Sequence, residues 1–410
     1  MDSAVLSEVQ RLQFSDITRA NELLCSFLTR GLGIHVKKAA LRPLAVSLNS
    51  INGTIQTEAG EAFFFKAHVE EGTGSREYYN SGLLEKAGYP IVRPILRTGG
   101  DLTEHVLLYR IVQLPTLFDA MRESDLNDDP GQISRLQAAN ENIHRQLFSI
   151  YQGSLTAIDR SQSERSPINQ LFLDRLVKGR RETFYSGATI RFPGLSLSFE
   201  EMLALKWTIN GVSYNLSLGE LLEDLAASLT PAACSGPAII GHGDAHNGNV
   251  FYDEAGDCGI YFDPAFAGLH SPFLDVAKPL YHNTFGQWLY FTEEAAQRLK
   301  VSVRRIGSAI YVDHDYWPNR LRMETHQSRL SLVVAPLVQL LSGRRRLESG
   351  WLSTLRSALA CCPLLTMNLA DIVRFPDSVR VLGFAHTIQF AHLGAAPKCS
   401  VSDLFGDLLQ

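Results

Sequence analysis

The sequence predicts an α+β protein in which a strand-rich segment precedes a longer, mostly helical one. Residues 34–112 contain five apolar runs of strand length, separated by turn residues and by one helical segment. Apolar residues recur at helical spacing over residues 133–155 and through most of residues 273–410. Residues 1–30 show the same spacing, which predicts a helical extension ahead of the strands. A chain of 410 residues is long enough to bury a large core.

The composition indicates a soluble globular protein and excludes several classes. Hydrophobic residues make up 45% and charged residues 20% of the chain, which is ordinary for a globular domain. A net charge of −5 argues against a dedicated nucleic-acid binder. No apolar run approaches the ~18 residues of a membrane span, and six cysteines without a CxxC pair suit a reducing compartment. We expect a cytoplasmic protein with no nucleic-acid or membrane partner, and the oligomeric state stays open.

The strongest chemical signal is a polar loop between two apolar runs in residues 239–268. The loop holds two histidines, one aspartate and two asparagines, and irregular segments held by strands are where sites are commonly built. One chemistry that fits is zinc hydrolysis, because alternating His242, Asp244 and His246 share one face of an extended strand. This alternative leaves Asn249 and Asp263 without a role.

The second chemistry that fits this loop is phosphoryl transfer, and we favour it. In such a site an aspartate accepts the proton of the attacking hydroxyl, and an asparagine five residues later binds Mg²⁺. Asp244 and Asn249 have this spacing, and Asp263 follows the next predicted strand. Mg²⁺ prefers a few oxygen ligands plus phosphates, which this set supplies.

The run His242-Gly-Asp-x-His-x-x-x-Asn resembles the catalytic loop of the aminoglycoside phosphotransferase and choline kinase-like family, small-molecule relatives of protein kinases. The later run from Asp263, Asp-Pro-Ala-Phe-Ala, resembles the metal-site motif of the methylthioribose kinase branch. We take Asp263 and not Tyr261 as the metal position, because Asp275 then falls twelve residues on, as in the family. This register leaves Ala265 where most relatives carry a carboxylate.

The resemblance implies a bilobal protein-kinase-like fold. The expected parts are an N-terminal extension (1–30), an N-lobe with a five-stranded antiparallel sheet (31–113) and a larger, mostly helical C-lobe (114–410). It also implies ATP and Mg²⁺ as cofactors and a small-molecule hydroxyl as acceptor. Asp244 is then the catalytic base, and Asn249 and Asp263 are the metal ligands. Asp275 is expected to anchor the catalytic loop.

A lysine within an apolar strand supports the same chemistry. Lys66 interrupts the strongly apolar residues 62–69, and burying an ammonium group without a partner is costly. In kinases such a lysine binds the α- and β-phosphates and pairs with a glutamate of the following helix. Glu77 lies in the helix predicted next, so we assign Lys66 and Glu77 to nucleotide binding. The alternative is an edge-strand lysine that points to water.

The remaining cofactor-binding candidates rest on position in the chain. A predicted turn at residues 49–53, which includes Ser50, is placed to cover phosphates, although it is not a glycine-rich loop. We place the hinge between the lobes within residues 110–114, where backbone groups of Ile111 and Val112 are expected to hold adenine. Sugar, amino-alcohol and aminoglycoside-like acceptors all stay open.

Two other interpretations stay open beside the small-molecule kinase. A nucleotide-binding regulatory module with little catalysis also fits, because Ala265 and the weak phosphate loop depart from the family pattern. The basic residues Lys178, Arg180 and Arg181 fit either an anion-binding patch or a solvated helix end, and we favour the helix end. In the C-terminal helices, aromatic and histidine side chains are candidates for lining the acceptor pocket: Tyr281, His282, Trp288, His386 and His392.

Overall fold

The chain divides into two compact units. A computed structural model describes residues 2–42, 50–68, 73–97, 106–395 and 399–409. Unit 1 consists of Met1–Leu114 and Ile260–Ala267, and unit 2 consists of Pro115–Gly259 and Gly268–Gln410. The expected division assigned Leu114 and residues 260–267 to the larger lobe, whereas both belong to unit 1. In the structure residues 260–267, which begin with the last two residues of a strand (Cys258–Tyr261), belong to the smaller unit.

Unit 1 is built on one antiparallel sheet. Its described elements are, in chain order, α1 (Asp2–Leu12), α2 (Ile17–Leu32), β1 (Val36–Leu41), β2 (Ser50–Thr57), β3 (Ala62–His68), α3 (Thr73–Ala87), β4 (Leu96–Arg97) and β5 (Val106–Arg110). The strand order is β1-β2-β3-β5-β4, and every neighbouring pair is antiparallel. The predicted five-stranded antiparallel sheet is therefore confirmed.

The N-terminal residues form two helices that share the core of the sheet. Asp16 begins α2, because its side chain accepts a hydrogen bond from the backbone N–H of Arg19 at 3.1 Å. Leu24 of α2 is fully buried in the same apolar cluster as Ile51 of β2 and Phe65 of β3. The extension predicted as a separate helical segment is thus part of the sheet's own hydrophobic core.

The predicted phosphate-covering turn is wrong for residues 50–53. Ser50 begins β2 and Gly53 lies within it, while residues 43–49 lie outside the described part of the chain. A Cβ on Gly53 would come within 2.3 Å of the Ala40 carbonyl oxygen and 2.7 Å of the Phe65 ring. Gly53 is therefore needed because neighbouring residues of the sheet approach it closely. In the sequence alone, such a glycine looks the same as a glycine in a turn.

Unit 2 is mostly helical. Its described helices are α4 (Leu117–Asn127), α5 (Pro130–Ser154), α6 (Arg160–Glu164), α7 (Leu173–Val177), α8 (Arg180–Tyr185), α9 (Phe199–Leu203), α10 (Leu218–Ser228), α11 (Pro272–His282), α12 (Thr292–Arg298), α13 (Arg320–Arg329), α14 (Ala335–Gly343), α15 (Trp351–Leu365), α16 (Asp377–Ala391) and α17 (Ser400–Asp403). A π-helical turn, Leu330–Val334, joins α13 to α14, and short 3₁₀ turns lie at Pro167–Leu171, Asn247–Asn249, Gly286–Leu289 and Gly406–Leu409.

The strands of unit 2 form small sheets between these helices. They are β6 (Thr156–Ile158), β7 (Thr189–Phe192), β8 (Leu195–Ser198), β9 (Lys206–Ile209), β10 (Val212–Ser217), β11 (Gly236–Gly241), β12 (Val250–Asp253), β13 (Cys258–Tyr261), β14 (Gly268–His270), β15 (Val301–Ile306) and β16 (Ala309–His314). β13 ends within the segment that belongs to unit 1. One sheet has the order β14-β11-β6, so the polar loop follows its central strand.

The hairpin of β15 and β16 is absent from the sequence prediction, which expected residues 273–410 to be mostly helical. The two strands pair antiparallel and complete a four-stranded sheet in the order β10-β9-β16-β15. The signal was present, because β-branched residues alternate on either side of Gly307-Ser308. The helical prediction holds elsewhere: α11 and α16 are buried along almost their whole length. Among the described residues, no helix has the length and apolar character that crossing a membrane requires.

Candidate active site

Lys66 is a buried cation held between two carboxylates in unit 1. Its Nζ atom lies 2.8 Å from Oε2 of Glu77 on α3 and 2.5 Å from Oδ1 of Asp263. Burial alone would lower the pKa of Lys66, but the charges of Asp263 and Glu77 outweigh burial and raise that pKa above its ordinary value. The lysine therefore stays charged inside the sheet, and the edge-strand alternative is excluded by its burial.

Tyr109 completes this arrangement, and sequence reasoning missed it. Its hydroxyl group donates a hydrogen bond of 2.6 Å to Oε1 of Glu77, so each oxygen of this carboxylate has its own donor. Burial and the neighbouring Glu77 charge raise the pKa of Tyr109, which keeps the phenol protonated as a donor. The available signal was a tyrosine that follows three apolar residues in β5, the strand that pairs with that of Lys66.

Asp263 faces Lys66, whereas Tyr261 faces the core. Tyr261 is buried and packs edge-to-face against Tyr89, with ring centroids 5.2 Å apart. Asp263 has a φ of +57°, a backbone conformation that costs energy in a non-glycine residue, and its side chain is 39% exposed. A hydrogen bond of 2.9 Å from Asn80 Nδ2 to the Pro264 carbonyl oxygen ties this segment to α3. The geometry suits the register that was chosen from sequence.

For the other nucleotide-binding candidates the structure gives a position in the fold but no contact that indicates a role. Ser50 is the first residue of β2 and pairs in register with His68. Ile111 and Val112 follow β5 directly; Ile111 is 40% exposed and Val112 is half-buried. Outside the strand ladders, neither Ile111 nor Val112 makes a backbone–backbone hydrogen bond with another described residue. The role of all three residues stays a prediction.

In unit 2, Asp275 fixes the start of the polar loop. It is fully buried, and its Oδ1 accepts hydrogen bonds from the Gly243 N–H at 2.6 Å and from His270 Nε2 at 2.9 Å. The Tyr151 hydroxyl donates to the other oxygen. Gly241 leaves space for this network, because a Cβ there would lie 2.5 Å from Asp275 Oδ1. The carboxylate thus holds the backbone of the loop by charge-assisted hydrogen bonds.

The two loop histidines serve the loop's own backbone. His242 Nδ1 accepts a hydrogen bond from the Asp244 N–H at 3.3 Å, and His246 Nδ1 accepts one from the Gly248 N–H at 3.1 Å. Asn249 Nδ2 donates to the Asp244 carbonyl oxygen at 2.8 Å. No three His, Cys, Asp or Glu side chains within the described ranges are arranged to hold a metal ion. These contacts favour phosphoryl transfer over the zinc alternative.

Asp244 forms a close ion pair that the sequence did not predict. Its Oδ1 lies 2.6 Å from Nζ of Lys278 on α11 and 3.7 Å from Nε2 of His246. Burial would raise the pKa of Asp244, but Lys278 and His246 act more strongly together and hold that pKa below its usual range. The carboxylate is 15% exposed and therefore stays within reach of a ligand. The only signal for Lys278 was a lysine in a helix that is otherwise buried and mostly apolar.

The proposed pocket-lining residues lie in the core of unit 2. Tyr281, His282, Trp288, His386 and His392 are all buried. The Tyr281 hydroxyl is 3.0 Å from His386 Nδ1, and Trp288 Nε1 lies 3.3 Å from the same atom. Only His282 adjoins the loop, because its ring centroid is 5.5 Å from that of His246. The aromatic pattern is thus a packing signal, and only His282 contacts the candidate site.

The predicted metal ligands have the chemistry that Mg²⁺ requires. Asp263 offers a partly exposed carboxylate, and Asn249 offers an amide oxygen that accepts no hydrogen bond from a described residue. Mg²⁺ is usually held by one or two such groups together with phosphates and water. Each residue is positioned within its own unit, Asp263 by Lys66 and Asn249 by the loop. The donor set therefore fits the ion.

A comparison with protein families gives the class of protein. A family profile described as "Phosphotransferase enzyme family" matches residues 191–304, which include Asp244, Asn249, Asp263 and Asp275. The match confirms the predicted resemblance, and with it the predicted class of enzyme, a small-molecule kinase; the likeness to the methylthioribose kinase branch stays a prediction. No curated protein sequence matches the chain.

Solved structures with a distant likeness are also phosphotransferases. Spectinomycin phosphotransferase APH(9)-Ia, in complex with ADP and spectinomycin, is 12% identical, with 90% of this chain and 97% of that chain covered and a TM-score of 0.43. Apo aminoglycoside phosphotransferase APH(4)-Ia is 11% identical, with 90% and 96% covered and a TM-score of 0.44. Macrolide 2'-phosphotransferase MphH from Brachybacterium faecium is 11% identical, with 90% and 98% covered and a TM-score of 0.36.

Proposed function

We propose that the chain is an ATP- and Mg²⁺-dependent phosphotransferase that moves the γ-phosphate of ATP to a hydroxyl group of a small molecule. The observation that carries this proposal is the buried Lys66, which is kept charged by Glu77 and Asp263. A buried ammonium group with two carboxylate partners is costly to assemble and adds little stability by itself. Such an arrangement is explained if the lysine also neutralises nucleotide phosphates.

The other residues then have defined roles. Asp244 orients the acceptor hydroxyl and receives its proton, which is the small amount of acid–base help that phosphoryl transfer needs. Asn249 and Asp263 supply oxygen ligands to Mg²⁺, which neutralises charge on the phosphates when it is bound. Backbone groups of Ile111 and Val112 hold the adenine base. Catalysis in this scheme is mainly positioning and electrostatic stabilisation.

Two substitutions test these roles. Asp244→Ala removes the proton acceptor, so we expect phosphate transfer to be lost while ATP affinity is kept, as read by steady-state assay and calorimetry. Asp263→Ala removes a metal ligand, so we expect the Mg²⁺-dependent part of ATP binding to be lost. Asp224→Ala, an exposed aspartate on α10, is the matched control and is expected to change neither quantity.

The same experiments separate a kinase from a regulatory module. ATP consumption that depends on an added acceptor and on Asp244 supports the kinase. ATP binding without turnover on any acceptor of a broad hydroxylated library would instead identify the chain as a nucleotide-binding module. Full turnover in Asp244→Ala would refute the assignment of the base.

A further inference from the structure

Helix α11 contacts the polar loop at two points, one helical turn apart. Asp275 accepts a hydrogen bond from the Gly243 N–H at 2.6 Å. Nζ of Lys278 lies 2.6 Å from Oδ1 of Asp244. Residues three positions apart in a helix lie on the same face, so one face of α11 holds two successive loop residues. Asp275 fixes the backbone just before the proposed base, and Lys278 fixes the side chain of that base.

The helix that carries Lys278 is itself fixed by packing. Every residue of α11 is buried, and the Lys278 side chain is 6% exposed. The Phe273 ring of α11 lies 5.0 Å from the Trp351 ring of α15, where the two helices pack together. Side chains in a packed interior stay in one low-energy rotamer. The ammonium group therefore has a defined position from which to hold the loop.

The two carboxylate oxygens of Asp244 have different surroundings. Oδ1 has almost no contact with solvent, and it faces Lys278 Nζ at 2.6 Å and His246 Nε2 at 3.7 Å. His246 Nδ1 accepts the Gly248 N–H at 3.1 Å, so a neutral ring carries its proton on Nε2, toward Oδ1. The Asp244 side chain is nevertheless 15% exposed, and almost none of this exposure belongs to Oδ1. A ligand therefore reaches the carboxylate at Oδ2.

Arg180, a basic residue of the same unit, is held by other partners. Its Nη1 donates hydrogen bonds to the carbonyl oxygens of Leu365 at 3.0 Å and Thr366 at 2.6 Å, at the C-terminal end of α15. The interpretation of this residue as part of a solvated helix end is therefore wrong, although Lys178 nearby is exposed as expected. Within the described ranges, Lys278 is the one lysine or arginine that forms an ion pair with Asp244.

We propose that Lys278 is a positioning residue for phosphate transfer, which holds Oδ1 of Asp244 so that Oδ2 faces the acceptor hydroxyl. The inference rests on the proposed function, because it takes Asp244 as the base. In the reaction the hydroxyl oxygen forms a bond to the γ-phosphorus of ATP, and the hydroxyl proton passes to Oδ2. The bond from this phosphorus to the bridging oxygen breaks, and ADP leaves with the electron pair. A buried ion pair adds little net stability, which favours this role over a role in folding alone.

The test compares Lys278→Met, which removes the charge at similar length, with Lys278→Arg, which keeps the charge. Lys278→Met is also combined with Asp244→Asn, and Lys300→Met, at an exposed lysine shortly after α12, is the matched control. Transfer from radiolabelled ATP to glucose, choline and kanamycin, which represent the open acceptor classes, gives kcat and KM for the best acceptor. Circular dichroism and urea unfolding give the folded fraction of each variant, and kcat is calculated for that fraction.

We expect Lys278→Met to lower kcat about 10- to 100-fold, because a displacement of about 1 Å near a reacting group can cost about 100-fold. The KM values for ATP and acceptor are expected to stay unchanged, since Lys278 contacts neither. Lys278→Arg is expected to recover part of kcat, which a residue with only a packing role would not show. In Asp244→Asn we expect no further loss from Lys278→Met, because Lys278 acts through Asp244. Lys300→Met is expected to match the wild-type chain.

Four results would overturn the inference while leaving the kinase function in place. They are an unchanged kcat in Lys278→Met, a kcat that Lys278→Arg does not raise above that of Lys278→Met, a raised KM for ATP at unchanged kcat, and an equal further loss in Asp244→Asn. The third result assigns Lys278 to the nucleotide phosphates, and the fourth shows that it acts independently of the base. Absence of transfer by the wild-type chain to every compound of a broad hydroxylated library refutes the kinase function itself, and the inference with it.

Discussion

From the buried contact between Lys66 and Glu77 we predict how much Glu77→Gln lowers the free energy of unfolding. The glutamate side chain is 1% exposed, and its two oxygens receive Lys66 Nζ at 2.8 Å and the Tyr109 hydroxyl at 2.6 Å. Glutamine has one acceptor oxygen, so its NH₂ group must face one of these two donors. The substitution therefore removes the negative charge and one of the two contacts.

The expected loss follows from these contacts. A hydrogen bond to a charged group contributes about 1.5–3 kcal/mol. Removing one partner of a buried ion pair costs about 3–5 kcal/mol, but Lys66 keeps Asp263 as its second carboxylate, so we expect the lower of the two ranges. The control is Glu85→Gln on the same helix, where Glu85 pairs with Arg93 at 2.6 Å and both side chains are well exposed. Exposed pairs contribute about 0.2–1 kcal/mol.

Urea unfolding, followed by circular dichroism and by tyrosine fluorescence, measures both variants against the wild-type chain. We expect Glu77→Gln to lower the free energy of unfolding more than Glu85→Gln, and to weaken ATP binding because Lys66 loses its orienting partner. Equal losses in the two variants would refute the view that the buried contact stabilises α3 against the sheet.

Three further predictions concern unit 2. Asp275→Asn should lower the free energy of unfolding by about 2–4 kcal/mol, because a buried carboxylate loses charge-assisted hydrogen bonds. Tyr151→Phe, which removes one of these hydrogen bonds, should lower the free energy of unfolding by less, and urea unfolding measures both variants. The pKa of Asp244 is lower in the folded chain than the value of about 3.9 that an aspartate has in the unfolded chain. Its negative charge therefore stabilises the fold at pH values above about 3.9, and this stabilisation is lost as the pH falls. Asp244→Asn should therefore lose less stability than wild type between about pH 7 and about pH 3. Gly241→Ala should lower the melting temperature sharply through contact with Asp275, whereas Gly343→Ala, which has open space, should not.

Local sequence patterns predicted those parts of the fold and of the candidate site that depend on residues close together in the chain. The five strands of unit 1 follow from apolar runs and turn residues, and the burial of Lys66 follows from its place in the most apolar of them. Asp16 at the start of α2 is a local capping signal. The loop residues Asp244 and Asn249 were found because their spacing is itself a motif.

The parts that sequence reasoning missed depend on contacts between distant residues. Lys278 lies 34 positions after Asp244, and nothing local marks them as a pair. The role of Tyr109 likewise depends on its distance to Glu77 and not on its strand. The sequence therefore gives the candidate site residues, and the structure adds the charged and hydrogen-bonding groups around them.

The ion pair between Lys66 and Asp263 has a thermodynamic consequence for ligand loading. In the proposed function, a free divalent cation binds Asp263 and must displace the Lys66 ammonium group, which lies 2.5 Å from that carboxylate. Phosphates that draw Lys66 toward themselves release that carboxylate, and the cation in turn screens the phosphates. Metal and nucleotide should therefore bind with positive cooperativity, and each should raise the affinity of the other by the same factor.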